Sequence, residues 1–178
     1  MFNYDLYRYY GEHKESFLQR LFRPAELRFL YWKRKYELSR NLITRFFCIV
    51  RMRWISAKTQ IQIPKNTKIG RGFYIGHTGR LIINEAAEIG ENVNVATGVT
   101  IGQENRGKRK GCPKIGNRVW IGTNAVIVGN IKVGDDVLIA PLTLVNFDVP
   151  DHTIVVGNPA RMIHREDATA GYITKQVE

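Results

Sequence analysis

The chain has 178 residues, of which 44% are hydrophobic and 24% charged, an ordinary balance for one globular domain with its own core. Its 27 Lys and Arg residues against 16 Asp and Glu residues give a formal net charge of +11, which favours partners such as nucleic acid, anionic lipid, acidic polysaccharide or a phosphate-rich small molecule. No apolar stretch approaches the roughly 18 residues of a membrane helix, no signal-peptide pattern is visible, and only Cys48 and Cys112 are cysteines. We therefore predict a reduced, cytoplasmic protein.

Residues 1–58 have the apolar spacing of α-helices and carry most of the positive charge. Thirteen of the Lys and Arg residues but only five of the Asp and Glu residues lie here, which gives this part a net charge of +8. Two apolar stripes are present: Leu27, Leu30, Tyr31, Leu38 and Leu42, then Ile43, Phe46, Phe47, Val50 and Trp54. We favour packing of both stripes against the rest of the protein; contact with an anionic membrane surface is the alternative.

From residue 61 onward, Ile or Val recurs at every sixth residue with two interruptions. The thirteen positions are Ile63, Ile69, Ile75, Ile83, Ile89, Val95, Ile101, Ile115, Ile121, Ile127, Val133, Ile139 and Val145. A period of six fits one short strand plus one turn, so it predicts a solenoid whose β-branched residues point inward and stack. A β-sandwich would instead show turn clusters every 8–12 residues and no sustained period of six.

Glycine and a basic insertion mark where the repeat bends or breaks. Seven of the thirteen positions are followed by glycine, and we predict that these glycines bend the chain with positive φ: Gly70, Gly76, Gly90, Gly102, Gly116, Gly122 and Gly134. The second interruption is the eight-residue segment Gly107–Lys114, which is predicted to be a loop that leaves the solenoid.

The repeat resembles the left-handed parallel β-helix of the hexapeptide-repeat acyltransferases, in which three hexads form one triangular coil. The resemblance covers about residues 61–163. It implies a mainly β protein with a helical region at 1–58, a left-handed β-helix at 59–163 with a loop at 106–114, and a tail at 164–178. It also implies a homotrimer with each active site between two chains, so that His77 of one chain faces the Cys112 loop of its neighbour.

Five stretches are most similar to serine acetyltransferases and to the related O-acetyltransferases of capsule and exopolysaccharide synthesis. They are Ile69-Gly70-Arg71-Gly72, His77-Thr78-Gly79, Val99-Thr100-Ile101-Gly102, Pro113-Lys114-Ile115-Gly116 and Gly157-Asn158-Pro159-Ala160-Arg161. The resemblance implies acetyl-CoA as acyl donor, no metal, and His77 as the general base that takes the acceptor's hydroxyl proton. The alternative for His77 is a solvated surface histidine.

Three positions depart from serine acetyltransferases. Gly76 stands where they have Asp, Gly111-Cys112 where they have Arg-His, and Gln62 where an upstream Asp pairs with the catalytic His. The missing groups are those expected to bind the ammonium and carboxylate of an amino acid. We therefore predict that the acceptor is a sugar hydroxyl in capsule or exopolysaccharide biosynthesis, with serine O-acetylation in cysteine biosynthesis as the alternative.

Further binding residues follow from the same resemblance. For the acceptor, Gln62 is a candidate to orient His77, Asn84 either bonds the acceptor or caps a turn, and Cys112 lines the site. The loop cations suit coenzyme A phosphates or an anionic glycan, unless the loop is simply solvated. The residues predicted to bind acetyl-CoA are Gly102, Lys108, Arg109, Lys114, Gly122, Thr123, Ala140, Pro141 and Arg161.

Two other functions with a physical rationale are disfavoured. A γ-type carbonic anhydrase uses the same prism but needs three histidines on neighbouring coils for zinc, and the stretch between the first and last repeat positions, Ile63 and Val145, contains only His77. A nucleic-acid-binding protein suits the net charge, but the chain has no zinc-finger spacing, basic zipper or RNA-binding signature. We predict a cytoplasmic enzyme, with the inner face of the membrane as a further place for it.

Overall fold

The computed structural model describes residues 1–177, which form an N-terminal helical region and a parallel β-helix. The helices are α1 (Phe2–Tyr10), α2 (Phe17–Leu21), α3 (Ala25–Leu38) and α4 (Leu42–Thr59). Helix α2 begins at a capping box in which Ser16 accepts from the N–H of Gln19 and the Gln19 side chain accepts from the N–H of Ser16. Within residues 1–177, no helix combines the length and apolarity needed to cross a membrane.

Fifteen short strands follow α4. They are β1 (Ile61–Gln62), β2 (Lys68–Ile69), β3 (Tyr74–Ile75), β4 (Leu81–Ile83), β5 (Glu88–Ile89), β6 (Asn94–Val95), β7 (Thr100–Gly102), β8 (Lys114–Ile115), β9 (Val119–Ile121), β10 (Val126–Val128), β11 (Lys132–Val133), β12 (Val137–Ile139), β13 (Leu144–Val145), β14 (Thr153–Val156) and β15 (Arg161–His164).

The strands form three sheets that wrap around one core in about five coils. The first sheet has the order β1-β4-β7-β10-β13, the second β2-β5-β8-β11, and the third β3-β6-β9-β12-β14 with β15 added at its end. All pairings are parallel except β14 with β15, which is antiparallel. Each strand therefore pairs with the equivalent strand of the next coil, and the prediction of a parallel β-helix preceded by helices is confirmed.

The period of six is the spacing of three inward-pointing ladders, one for each sheet. In the first sheet Ile83 pairs with Ile101, and Ile101 with Ile127. In the second sheet Ile69 pairs with Ile89. All thirteen Ile and Val positions of the repeat are buried. Stiff β-branched side chains stack well in such ladders because they lose little rotamer freedom when they pack flat against their equivalents.

The glycines that follow the ladder residues have a different role from the one predicted. None of the seven has positive φ, so the prediction that they bend the chain in this way is wrong. A Cβ added at Gly90 would lie 2.4 Å from the carbonyl oxygen of Gly116, and one at Gly116 would lie 2.6 Å from that of Gly134. At these positions glycine is required because successive coils approach too closely at the corner for any side chain.

The helical region and the β-helix share one core. Phe29 and Leu30 of α3 and Met52 and Ile55 of α4 belong to the same buried cluster as the Ile and Val ladders. Between helices and first coil lies a buried ion pair, in which Arg34 Nε is 2.7 Å from Asp5 Oδ2.

Helix α4 packs through only one of its faces. Cys48, Met52, Ile55 and Thr59 are buried. The stripe predicted to pack inward is on the opposite face and is exposed: Ile43, Phe46, Phe47, Val50 and Trp54. For this stripe the prediction of core packing is wrong, because the helix faces the protein with its smaller Cys, Ser and Thr residues together with Met52 and Ile55. Leu38 and Leu42 of the first stripe are exposed as well.

The C-terminal segment, residues 165–177, runs back along the third sheet. The Asp136 carboxylate accepts from the N–H groups of Ala168 and Thr169 and from the Thr169 hydroxyl. At the far end, Val177 exchanges two hydrogen bonds with the Asn92 side chain, both of 2.8 Å. The segment thereby covers part of the third sheet from its last coils down to its first.

Candidate active site

His77 lies on the corner between the third and first sheets, in the first coil. It follows β3, whose Ile75 points into the core, and its imidazole is exposed. The ring lines a cavity of about 220 Å³. The other lining residues are Tyr74, Gly76, Asn94, Val95, Ala96, Trp120 and Tyr172. This cavity has three aromatic walls and an imidazole at its rim, so it offers a proton acceptor beside an amphipathic pocket.

Two helices hold the chain on either side of His77. Before it, the Tyr9 hydroxyl of α1 donates to the carbonyl of Ile75 at 2.9 Å and accepts from the N–H of Ile75 at 3.1 Å. After it, the Thr78 hydroxyl donates to the Glu26 carboxylate of α3. The corner is therefore fixed by contacts that do not use the imidazole, which leaves the ring accessible to a substrate.

The corners above His77 stack along the same edge of the prism. The N–H of Asn124 donates to the carbonyl of Thr97 at 3.0 Å, and the N–H of Leu142 donates to that of Thr123 at 2.9 Å. We call this line of corners the His77 edge; it comprises residues 76–80, 96–98, 122–125, 140–143 and 157–160, where the chain leaves the third sheet. Four of the residues predicted to bind acetyl-CoA lie on it: Gly122, Thr123, Ala140 and Pro141.

Not every predicted donor on this edge is available to a ligand. The N–H groups of Gly122 and Ala140 donate to Ile139 and Val155 of the next coil, each at 2.8 Å. Pro141 has no N–H. These three residues would therefore present surface to a bound molecule rather than N–H donors, while Thr123 retains a hydroxyl. Arg161 is exposed at the start of β15, beyond the last corner.

The remaining candidates lie on or beyond the first sheet, away from the His77 edge. Residues 84–87 and 103–113 connect the first sheet to the second; we call this the loop edge. Gln62 is exposed on β1 and lines a cavity of about 620 Å³ together with Asn84. That cavity shares no lining residue with the cavity at His77. One chain therefore does not place Gln62 and His77 in a common pocket.

Asn84 and Gly102 are neighbours at the loop edge. The Asn84 side-chain oxygen accepts from the N–H of Ala86 at 3.0 Å, and its amide group donates to Gln103 Oε1 at 3.4 Å. Of the two roles left open for Asn84, the structure shows the cap of a turn. Gly102 ends β7 and pairs with Val128 of the next coil.

The basic loop is closed at its base by a backbone bridge between Glu104 and Gly111. Arg109 Nε lies 3.7 Å from Glu104 Oε2, so this cation is partly neutralised. Lys114 belongs to β8 rather than to the loop, and its Nζ lies 3.9 Å from Glu88 Oε2. Lys108 is exposed and forms no ion pair with any other part of residues 1–177. Among the three cations, Lys108 is thus the most available to a phosphate.

Cys112 is a partly buried free thiol that packs against the core. Burial raises its pKa, which keeps the sulfur protonated and makes it a poor nucleophile near neutral pH. In the part of the chain that the structure describes, no three His, Cys, Asp or Glu side chains are grouped so as to hold a metal ion.

All three aromatic walls of the His77 cavity, Tyr74, Trp120 and Tyr172, were missed by sequence reasoning. Trp120 is the outward-facing residue of β9, and Tyr172 belongs to the C-terminal segment; their ring centroids are 4.8 Å apart. Successive residues of β9 point to opposite faces of the sheet, and Val119 and Ile121 are buried. This alternation was therefore a usable signal that Trp120 faces outward. Nothing in the repeat indicated Tyr172, because the segment that carries it lies outside the period of six.

Comparisons with known proteins identify several serine acetyltransferases as relatives. A sequence model described as bacterial transferase hexapeptide (six repeats) matches residues 112–146. A serine acetyltransferase of Helicobacter pylori is 41% identical over 108 residues, which are 61% of this chain and 63% of that protein. The chain therefore spans less than two thirds of the length of such curated relatives.

Solved structures agree with the sequence matches. The soybean serine acetyltransferase complexed with serine is 30% identical, with a TM-score of 0.71 over 91% of this chain and 67% of that chain. A serine acetyltransferase from Brucella abortus in complex with coenzyme A is 26% identical, with a TM-score of 0.74 over 92% of this chain and 66% of that chain. The prediction of a sugar hydroxyl acceptor in capsule or exopolysaccharide synthesis is wrong, because these relatives are serine acetyltransferases and so favour the alternative.

Proposed function

The chain belongs to the hexapeptide-repeat transferase family, and from this premise we propose that it is an acetyl-CoA-dependent serine O-acetyltransferase. The observation that carries the proposal is the exposed imidazole of His77, which opens into a cavity at the foot of the His77 edge. Relatives with serine and with coenzyme A bound share this fold at 30% and 26% identity. The proposed donor, acetyl-CoA, and the proposed acceptor, serine, are thus both inferred from the molecules bound in relatives with the same β-helix.

In the proposed reaction, His77 acts as general base on the hydroxyl of the acceptor. The imidazole takes the hydroxyl proton as the oxygen attacks the thioester carbonyl carbon, and the new C–O bond forms. The C–S bond then breaks, and the coenzyme A sulfur leaves with the proton returned by the imidazolium. A positioned base of this kind contributes roughly 10²–10⁴-fold to the rate, and the held orientation of the two substrates supplies more.

The acceptor's charges need partners, since Gly76 and Cys112 supply none. The faces of Tyr74, Trp120 and Tyr172 can attract an ammonium group by cation–π interaction. We assign the carboxylate to Arg80, an exposed guanidinium three residues after His77 on the same corner. Because aromatic faces hold a cation less tightly than a carboxylate does, we expect a high KM for serine.

We also propose that the enzyme is a homotrimer in the cytoplasm. The residues proposed for the site fall on two edges of one chain, with the first sheet between them. Packing of three prisms would bring the His77 edge of one copy against the loop edge of the next. Lys108 and Arg109 would then reach the phosphates of acetyl-CoA bound along the neighbour's His77 edge, and Arg161 would lie toward the end of that edge.

The test measures free thiol release from acetyl-CoA with four acceptors. L-serine is compared with ethanolamine, which lacks the carboxylate, with 3-hydroxypropionate, which lacks the ammonium, and with a nucleotide sugar. We expect release with L-serine and at least about tenfold lower kcat/KM with either truncated analogue, because each loses a charge-assisted contact. His77→Asn should slow the release by about 100-fold or more, whereas His164→Asn, an exposed histidine on β15, should not. Release with the nucleotide sugar but not with serine would overturn the acceptor; no release with any acceptor would overturn acetyl transfer.

A further inference from the structure

Helix α4 presents an apolar face to solvent that no part of residues 1–177 covers. Six of its side chains are between 45% and 79% exposed: Leu42, Ile43, Phe46, Phe47, Val50 and Trp54. At 100° per residue these six fall within one arc of the helix, opposite the buried Cys48, Met52 and Ile55. We call this arc the α4 apolar face. Its size and its aromatic content go beyond the singly scattered apolar residues of an ordinary surface.

Cations line both margins of this face. On the helical wheel Arg53 lies close to one margin, between Leu42 and Phe46. Arg51 and Lys58 lie just beyond the other margin, and all three cations are exposed. The Lys58 ammonium lies 4.1 Å from the centre of the Trp54 ring. The eighteen residues of α4 include four Lys or Arg residues and no Asp or Glu. The surface is therefore apolar in its centre and purely cationic at its edges.

From this arrangement we infer that α4 binds the surface of an anionic lipid membrane and lies in the plane of the headgroups. An apolar arc flanked by Lys and Arg matches that interface: aromatic and aliphatic groups enter the acyl boundary while the cations meet lipid phosphates. The helix has too many cations to cross the bilayer and belongs to a region with a net charge of +8. This inference is independent of the acceptor proposed above.

A second copy of the chain is a less suitable occupant. Two α4 apolar faces related by a two-fold axis would bring the margins of Arg51, Arg53 and Lys58 close to their own copies. With no acidic residue on α4 to pair with them, like charges would oppose one another at the rim. Lipid phosphates supply the negative charge that a second α4 lacks.

The test is co-sedimentation with vesicles of phosphatidylcholine alone or with about one third phosphatidylglycerol. We expect the wild type to bind the anionic vesicles far better than the neutral ones, and to dissociate as salt screens the charges. Arg51→Gln, Arg53→Gln and Lys58→Gln together should weaken partitioning roughly 100-fold. The matched control, Lys108→Gln, Arg109→Gln and Lys110→Gln, removes the same charge from the loop and should weaken it much less.

A second pair of variants separates the contribution of apolar side chains to membrane binding from that of charge. Phe46→Ser with Phe47→Ser should lower binding about tenfold or more, whereas Met162→Ser with Ile163→Ser, more than half exposed on β15, should leave it unchanged. Circular dichroism checks that each variant is folded. Absence of wild-type binding, or equal losses in a variant and its matched control, would overturn the proposal. So would a halved mass of the Phe46/Phe47 variant in lipid-free sedimentation velocity, because α4 would then join two copies.

Discussion

At the residue scale, His77 is a side chain whose position is fixed by its neighbours. Tyr9 bonds both backbone groups of Ile75 two residues before it, and Glu26 accepts from Thr78 immediately after it. The imidazole itself is exposed at the rim of its cavity. Chemistry and stability are therefore separable at this position, since removal of the ring leaves the contacts of the corner intact.

Replacement of His77 by Asn should lower kcat by about 100-fold or more, because the acceptor hydroxyl loses its base. The free energy of unfolding should change by less than about 0.5 kcal/mol, as for other exposed substitutions. Steady-state kinetics and urea denaturation measure the two quantities, and calorimetry with coenzyme A checks that donor binding persists. Near-normal kcat would remove the assigned role, and a large loss of stability would show that the ring is structural.

At the scale of elements, the helical region is joined to the first coil by a buried ion pair. Arg34 of α3 donates to Asp5 of α1 and to the carbonyls of Ile69 and Gly70, while Asp5 accepts from the N–H of Phe73. Burial raises the pKa of the Asp5 carboxyl, and the Arg34 guanidinium opposes that shift. The carboxylate thus depends on its cation, and both side chains orient the helices on the β-helix.

Removal of the Arg34 guanidinium should lower the free energy of unfolding far more than removal of an exposed arginine does. We expect Arg34→Met to lower the free energy of unfolding by about 3–5 kcal/mol, since it leaves the Asp5 carboxylate buried without its cation. Arg28→Met, an exposed arginine on the same helix, should change it by less than about 0.5 kcal/mol. Urea denaturation measures both. If Asp5→Ala with Arg34→Met is no more stable than Arg34→Met alone, the unpaired carboxylate is not the cause.

The C-terminal segment is attached through Asp136, and this attachment is pH-dependent. Burial alone would raise the pKa of Asp136, but hydrogen bonds from Thr169, His152 and Ala168 outweigh it and leave the pKa lowered. The same carboxylate raises the pKa of His152, with help from Glu166 and Asp151; the His164 ring is its other titratable neighbour. His152 therefore contributes stability below about pH 6.5 that is lost as pH rises through its folded-state pKa, and Asp136 contributes stability above about pH 4 that is lost in acid.

Thermal unfolding measured at a series of pH values should show the contribution of His152 to stability. Between pH 6 and pH 8 the wild type should lose part of its stability as His152 deprotonates, whereas His152→Gln should lose less because it has no proton to release. Hydrogen exchange at the amides of Ala168 and Thr169, corrected for intrinsic rates, should rise over the same interval. An equal loss in the wild type and His152→Gln would show that other groups govern the pH dependence.

The elements differ in how far the sequence determines them. The ladders were predictable because each inward position has the same neighbours in every coil, so one period encodes the whole β-helix. The orientation of α4 was not, because an amphipathic pattern identifies two faces without saying which one meets protein: Met52 and Ile55 pack inward while Phe46 and Trp54 do not. Tyr172 reaches the His77 cavity because its segment is held by Asp136 and Asn92, contacts that join residues distant in sequence.

At the scale of the whole molecule, the candidate site is divided between two edges. Local motifs identified His77, Lys108 and Arg109, but they contain no information about distance, and one chain keeps these residues on opposite sides of the first sheet. The proposal of serine as the acceptor likewise rests on relatives rather than on Gly76 and Cys112, because absent charges do not reveal what replaces them. A division of this kind has a functional meaning only if a second copy completes the site.

Co-expression of two inactive chains tests that requirement. His77→Asn lacks the base, and a chain with Lys108→Gln, Arg109→Gln and Lys114→Gln lacks the loop cations. If each site combines the His77 edge of one copy with the loop edge of the next, every trimer that contains both chains has one intact site among its three and should recover about a third of the wild-type activity. Activity at low acetyl-CoA, measured on trimers purified through two different tags, gives the fraction. A chain carrying both sets of substitutions, co-expressed with His77→Asn, is the control and should remain inactive. If the mixed trimers recover nothing beyond the sum of their parents, both halves of the site lie within one chain.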